Sequence, residues 1–137
     1  MSRRQARETV LKLEFEYEFQ KEKNDFTLTE FLGSADIDDE DKEFINYEYN
    51  GIIEHSEELN KIIESHLKSF TLNRIFKMDL AIIKLALFEI MFSKYETPKS
   101  VVINEAVELA KKFSTEKSYS FVNGILASVV NGEINGN

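Results

Sequence analysis

Cysteine is absent from this chain of 137 residues, which removes every disulfide, thiolate nucleophile and thiolate metal ligand. The absence fits a reducing compartment, and the expected location is the cytoplasm. Proline occurs once and glycine five times, too little turn punctuation for an all-β fold. No long uncharged apolar run is present. The most apolar stretch, Ile75 to Phe92, carries Lys77, Asp79, Lys84 and Glu89, too much charge for a comfortable membrane span. The opening MSRRQARETV has arginines but no apolar segment behind them, so it does not read as an export signal. A phosphate-cradling glycine loop, a G-x-S-x-G elbow and an H-E-x-x-H pair are all missing, and neither an enzyme nor a cofactor is expected. His55 and His66 are the only histidines and have no evident third ligand, which favours surface residues over a metal site.

What remains is helical patterning, and its length suits one domain, residues 1–137. The Ile75–Phe92 stretch is apolar in nearly every direction when drawn as a helix, so protein must surround it. It is the expected central helix. Ala6, Val10, Leu13 and Tyr17 give a first helix from Arg3 to about Glu22, with Ser2 as its N-cap. Leu11, Phe15 and Phe19 form a second apolar stripe almost opposite the first. That helix is either sandwiched between two layers or turns its Phe15 stripe partly toward a partner.

A short second helix, Phe26 to Phe31, follows, with Thr27 or Thr29 as cap and Gly33 as its end. The acids Asp36 to Asp41 suit the first turn of a third helix carrying Phe44, Ile45, Tyr49 and Ile52. Ser56 is placed to cap a fourth, with Leu59, Ile62, Ile63 and Leu67. Thr97-Pro98 opens an amphipathic sixth helix reaching Phe113. Thr115 opens a seventh, to about Asn131, buried along Val122, Ile125, Leu126 and Val129, while Phe121 falls about a quarter-turn from the centre of that stripe. Gly124 sits mid-helix at a cost of about 1 kcal/mol against alanine, for which close packing or close approach of a ligand is the expected reason. The final NGEINGN should fray.

The net charge of −8 argues at first against a nucleic-acid partner. Residues 36 to 58 account for it, with ten acids against Lys42 alone, and the remainder is nearly balanced. Three of the four arginines, Arg3, Arg4 and Arg7, lie within the first seven residues. There they oppose the helix dipole by a few tenths of a kcal/mol each. Either a ligand or simple solvation accounts for them.

RRQARE (Arg3 to Glu8), IIKLALFEI (Ile82 to Ile90), PKSVVINEAVELAKKF (Pro98 to Phe113) and SFVNGIL (Ser120 to Leu126) resemble, in order and spacing, the NusB family of bacterial transcription antitermination factors. The resemblance implies an all-α fold of about seven helices in two packed small bundles, helices one to three and four to seven. It also implies partners: boxA RNA, the small-subunit ribosomal protein NusE, and the RNA polymerase elongation complex on ribosomal RNA operons. Carried over by position, Arg3, Arg4 and Arg7 fall on the family's phosphate-contacting region and Phe121 on its RNA-facing aromatic. Phe15 and Glu89 fall on positions that look toward NusE. Ile83-Lys84 stands where the family usually has Leu-Arg, and Lys117 where some members have an acid. The competing reading is a helical interaction module without RNA affinity, like the NusB-like domain of some ribosomal RNA methyltransferases.

Overall fold

The computed structural model describes residues 1–33, 36–68 and 71–134, without the side chains of 133 and 134. Among them are seven α-helices, α1 (Arg3–Gln20), α2 (Asp25–Leu32), α3 (Asp39–Glu54), α4 (Ser56–Ser65), α5 (Lys77–Met91), α6 (Lys99–Phe113) and α7 (Ser118–Ile134), with a 3-10 turn at Leu72–Arg74 and no strand. The all-α class and the seven helices are as the patterning predicts.

Capping chemistry sets several boundaries. Ser2 Oγ accepts from Gln5 N at 3.1 Å while Ser2 N donates to Gln5 Oε1 at 2.8 Å, a reciprocal box that starts α1. The cap of α2 is Asn24, whose side chain accepts from Thr27 N, and not either threonine. Thr27 instead donates its hydroxyl to Glu16 on α1 at 3.2 Å. Asp38 caps α3, and the acids Asp39, Glu40 and Asp41 fill its first turn, where the dipole favours them. Pro98 precedes α6 as the flanking residue, one position earlier than expected. Helix α7 begins at Ser118, because Ser114 to Lys117 form a turn. It continues through Ile134, so residues 131–134 do not fray as expected; residues 135–137 lie outside the described residues.

Helix α5 packs against α1, α3, α4, α6 and α7 and is the central element. Its span from Leu80 to Phe88 is buried throughout, as expected of a helix apolar on all sides. The ends differ: Phe76 is 62% exposed and Met91 37%. Gly51 brings α3 onto α5, since a Cβ there would lie 2.1 Å from Cζ of Phe88.

Two charges on α5 are also enclosed. Lys84 is 1% exposed and donates to Glu18 Oε2 at 2.8 Å and Ser56 Oγ at 2.7 Å. The Ser56 hydroxyl thus serves the core and makes no cap for α4. Glu14, fully buried beside this pair, is held well above the ordinary carboxyl range, first by burial. Lys84 therefore does not reach solvent and stands in an internal ion pair.

Candidate nucleic-acid interface

The three arginines of α1 have different surroundings because successive helical residues point about 100° apart. Arg3 stacks its guanidinium 4.0 Å from the centroid of Phe44 and 5.2 Å from that of Tyr95, with Glu40 at 3.8 Å. Arg4 lies at the surface, its side chain 57% exposed, and forks onto Glu105 of α6 through two hydrogen bonds of 3.0 Å. That fork holds the Glu105 carboxyl below its usual range. Arg7 is buried. Its Nε donates to both Glu89 oxygens, at 2.9 and 3.2 Å, and Nη2 donates to Oε1 at 2.9 Å.

Arg7 and Glu89, which the resemblance assigns to RNA and to NusE, are therefore each other's partners across the α1–α5 contact. Direct contact of Arg7 with a phosphate, or of Glu89 with another protein, requires this bidentate pair to open. Nearby Glu48 is pushed up to about 8 by burial and then by the Glu89 charge, so it is mostly protonated at neutral pH and the pair stays balanced. The dipole cost of cations in the first turns of α1 has an intramolecular answer in Glu40, Glu105 and Glu89.

The second stripe of α1 passes from core to solvent along the helix. Leu11 is buried, Phe15 half-buried and Phe19 59% exposed. Phe15 and Phe19 meet edge to face at 4.9 Å. With Phe76, Met78 and Phe113 they line an open groove of about 640 Å³. Phe76 escaped sequence reasoning because it belongs to a stretch that reads as buried on all sides. The signal was its place ahead of the first helical residue of α5, where the periodicity has not yet begun.

Phe121 lies on α7, partly buried and packed against the edge of the core. The start of α7 is held by Asp79 of α5, which accepts from the hydroxyls of Ser114 and Ser118; Ser118 Oγ also accepts from Thr115 N. That network fixes the turn between the Phe15 groove, which Ser114 and Thr115 also line, and the helix carrying Phe121. Neither Asp79 nor the serines stand out in the sequence, since nothing there brings positions 79 and 118 together. Gly124 has no atom within 4 Å of an added Cβ, so close packing is not its reason. Lys117 is exposed.

The NusB family model matches residues 2–131. The chain belongs to the NusB family. The transcription antitermination protein NusB of Finegoldia magna is 44% identical over 130 residues, spanning 95% of this chain and 94% of that protein. Among solved structures, T. maritima NusB superposes with a TM-score of 0.86 at 32% identity over 96% of this chain and 92% of that one. A structure of antitermination factors NusB and NusE in complex with double-stranded RNA matches with a TM-score of 0.84 at 25% identity, over 95% and 96% of the two chains. The seven-helix architecture is that of the NusB structures. Among the described residues no group of His, Cys, Asp or Glu could hold a metal ion, and no helix is long and apolar enough to cross a membrane.

Proposed function

We propose that this chain is a transcription antitermination factor that binds boxA-type RNA together with NusE and keeps RNA polymerase elongating through ribosomal RNA operons. It would do so in the cytoplasm, as a single domain whose helical layers share α5, with no catalytic step. The observation that carries this reading is the near-complete match to a NusB structure that contains both NusE and RNA. Arg3 and Arg4 are assigned to RNA phosphates and Phe121 to an RNA base. For Arg4 the exchange is between one anion and another, since a phosphate would replace Glu105 on the same fork. Arg7 and Glu89 support these surfaces from beneath, by fixing α1 on α5. Phe15, with Phe19 and Phe76 beside it, is assigned to NusE, because exposed aromatic side chains around a groove are the usual anchors of a protein interface.

A gel shift with boxA-like and scrambled RNA, each with and without NusE, tests the reading. Selective binding of the boxA-like strand, strengthened by NusE, is expected. Association with NusE and no shift of either RNA would instead favour an interaction module without RNA affinity.

A further inference from the structure

Helices α1 and α6 both pack on α5, and at the surface they are bridged by charge. Arg4 of α1 forks onto Glu105 of α6 at 3.0 Å, and Lys112 of α6 donates to both oxygens of Glu8 on α1 at 2.9 and 3.1 Å. The base comes from α1 in the first pair and from α6 in the second. Positions 4 and 8 are about one turn apart on their helix and positions 105 and 112 about two turns apart on theirs, so both pairs fall along one seam. Between them lies an open cavity of about 290 Å³, with Arg4, Lys111 and Lys112 set against Glu8, Glu105 and Glu108. Among the described residues its single apolar lining side chain is Leu109, which is buried, so the cleft offers no aromatic or aliphatic anchor to another protein.

The members of each pair differ in accessibility. The side chains of Arg4 and Lys112 are 57% and 59% exposed, those of Glu105 and Glu8 only 16% and 15%. The cations face solvent with the carboxylates behind them, and an anion arriving from outside meets the cations first. Held below its usual range by the Arg4 fork, the Glu105 carboxyl is charged at neutral pH. A guanidinium fork fits carboxylate and phosphate oxygens in the same geometry. Ion pairs at the surface contribute little to stability, so exchanging one acid for another anion is inexpensive. With three bases against three acids, the cleft as it stands gives a polyanion no net attraction.

We propose that the α1–α6 cleft is a phosphate-backbone site held shut by its own carboxylates: Glu105 and Glu8 occupy Arg4 and Lys112 as the phosphates of a strand would, and the strand must displace them. The proposal rests on the RNA-binding reading above and deepens it, by adding Lys112 to the phosphate contacts and by naming the internal competitors that hold affinity down.

The test uses the full chain with NusE and fluorescent oligoribonucleotides of boxA-like and scrambled sequence. Glu105→Gln and Glu8→Gln keep the size of the side chain and remove its charge. Each should raise RNA affinity about threefold and the two together about tenfold, as surface-pair energies convert to binding constants. Phosphates carry no sequence, so the gain should be alike for both strands, and it should shrink as salt is raised. Adding Lys112→Met to Glu8→Gln should cancel that variant's gain, a coupling that two unrelated changes do not show. Thermal midpoints should stay close to the parent, and a variant that fails to fold at one pair leaves the other pair as the test. Glu57→Gln, at an exposed acid of α4 outside the cleft, controls for net charge. An equal gain there overturns the proposal. So does unchanged or lowered RNA affinity in both glutamine variants while the parent binds, a gain for one sequence only, or a gain confined to NusE association; in each case the RNA reading stands. If neither the parent nor the double variant binds RNA with NusE present, the site and the reading fall together.

Discussion

At the scale of single residues, exposure separates side chains that look equivalent in the sequence. Arg4 and Arg7 both form bidentate pairs with glutamate, but the first is at the surface and the second enclosed. Removing one partner of a buried pair leaves an uncompensated charge and costs about 3–5 kcal/mol. Glu89→Ala should therefore lower the unfolding midpoint in urea by a corresponding amount, whereas Arg4→Ala should leave it close to the parent. Loss of NusE binding by Glu89→Ala with an unchanged midpoint would mean that the carboxylate faces the partner and not Arg7. Glu48 supplies a pH dependence of definite sign. Its folded-state value of about 8 lies above the ordinary 4.5, so between these pH values the native state holds a proton that the unfolded chain releases. Its contribution to stability falls as pH rises through that window, by at most about 1.4 kcal/mol per pH unit. Glu14, also raised by burial, acts in the same direction. Glu48→Gln abolishes one of these contributions, and thermal melts should show its Tm advantage over the parent growing from pH 5 to pH 8.

At the scale of elements, α5 and α7 carry opposite kinds of information. Helix α5 is enclosed by five neighbours, and its Lys84 bonds to Glu18 and Ser56 with Glu14 alongside. Lys84→Met strands those carboxyls and should cost about 3–5 kcal/mol, measured by denaturant unfolding, without direct effect on RNA contacts. Helix α7 presents Phe121 at the rim of its buried face. Phe121→Ala should stay folded, keep NusE binding and lose about tenfold or more in RNA affinity, since a stacked base contributes about 1–3 kcal/mol. Most of that loss should persist at raised salt, because stacking is not ionic. A variant that melts far below the parent, as a core truncation costing about 3–5 kcal/mol would, assigns Phe121 to the core.

For the whole molecule, charge decides how strongly the proposed RNA partner would be held. The excess acid of residues 36 to 58 lies on α3, just ahead of it and at the start of α4, and two of the three α1 arginines reach the surface. On the proposed reading, two phosphate contacts to a single strand would give a slope of only about −1.4 in log K against log salt, and the chain alone would be a weak binder. Replacing Arg3 and Arg4 together by alanine should flatten the slope by about that amount in a salt titration of RNA affinity; an unchanged slope would remove both from the interface.

The all-α class, the seven helices and the central position of α5 were legible in the sequence because each depends on local periodicity, capping residues and the scarcity of proline and glycine. The half-buried margin of Phe121 was legible for the same reason, since a helix converts spacing into direction, whereas spacing left open whether a second layer covers the Leu11–Phe15–Phe19 stripe. Only the tertiary structure decided what the charges do. It joined Arg7 to Glu89 across 82 positions, Lys84 to Glu18 across 66, and Asp79 to Ser118 across 39. It likewise set Gly124 and Ser128 opposite His66, making a cavity from two helices far apart in the chain. Periodicity records which way a side chain faces, but whether a charge meets solvent, a ligand or a counter-charge depends on which helix lies against it, and that is fixed only when the layers pack.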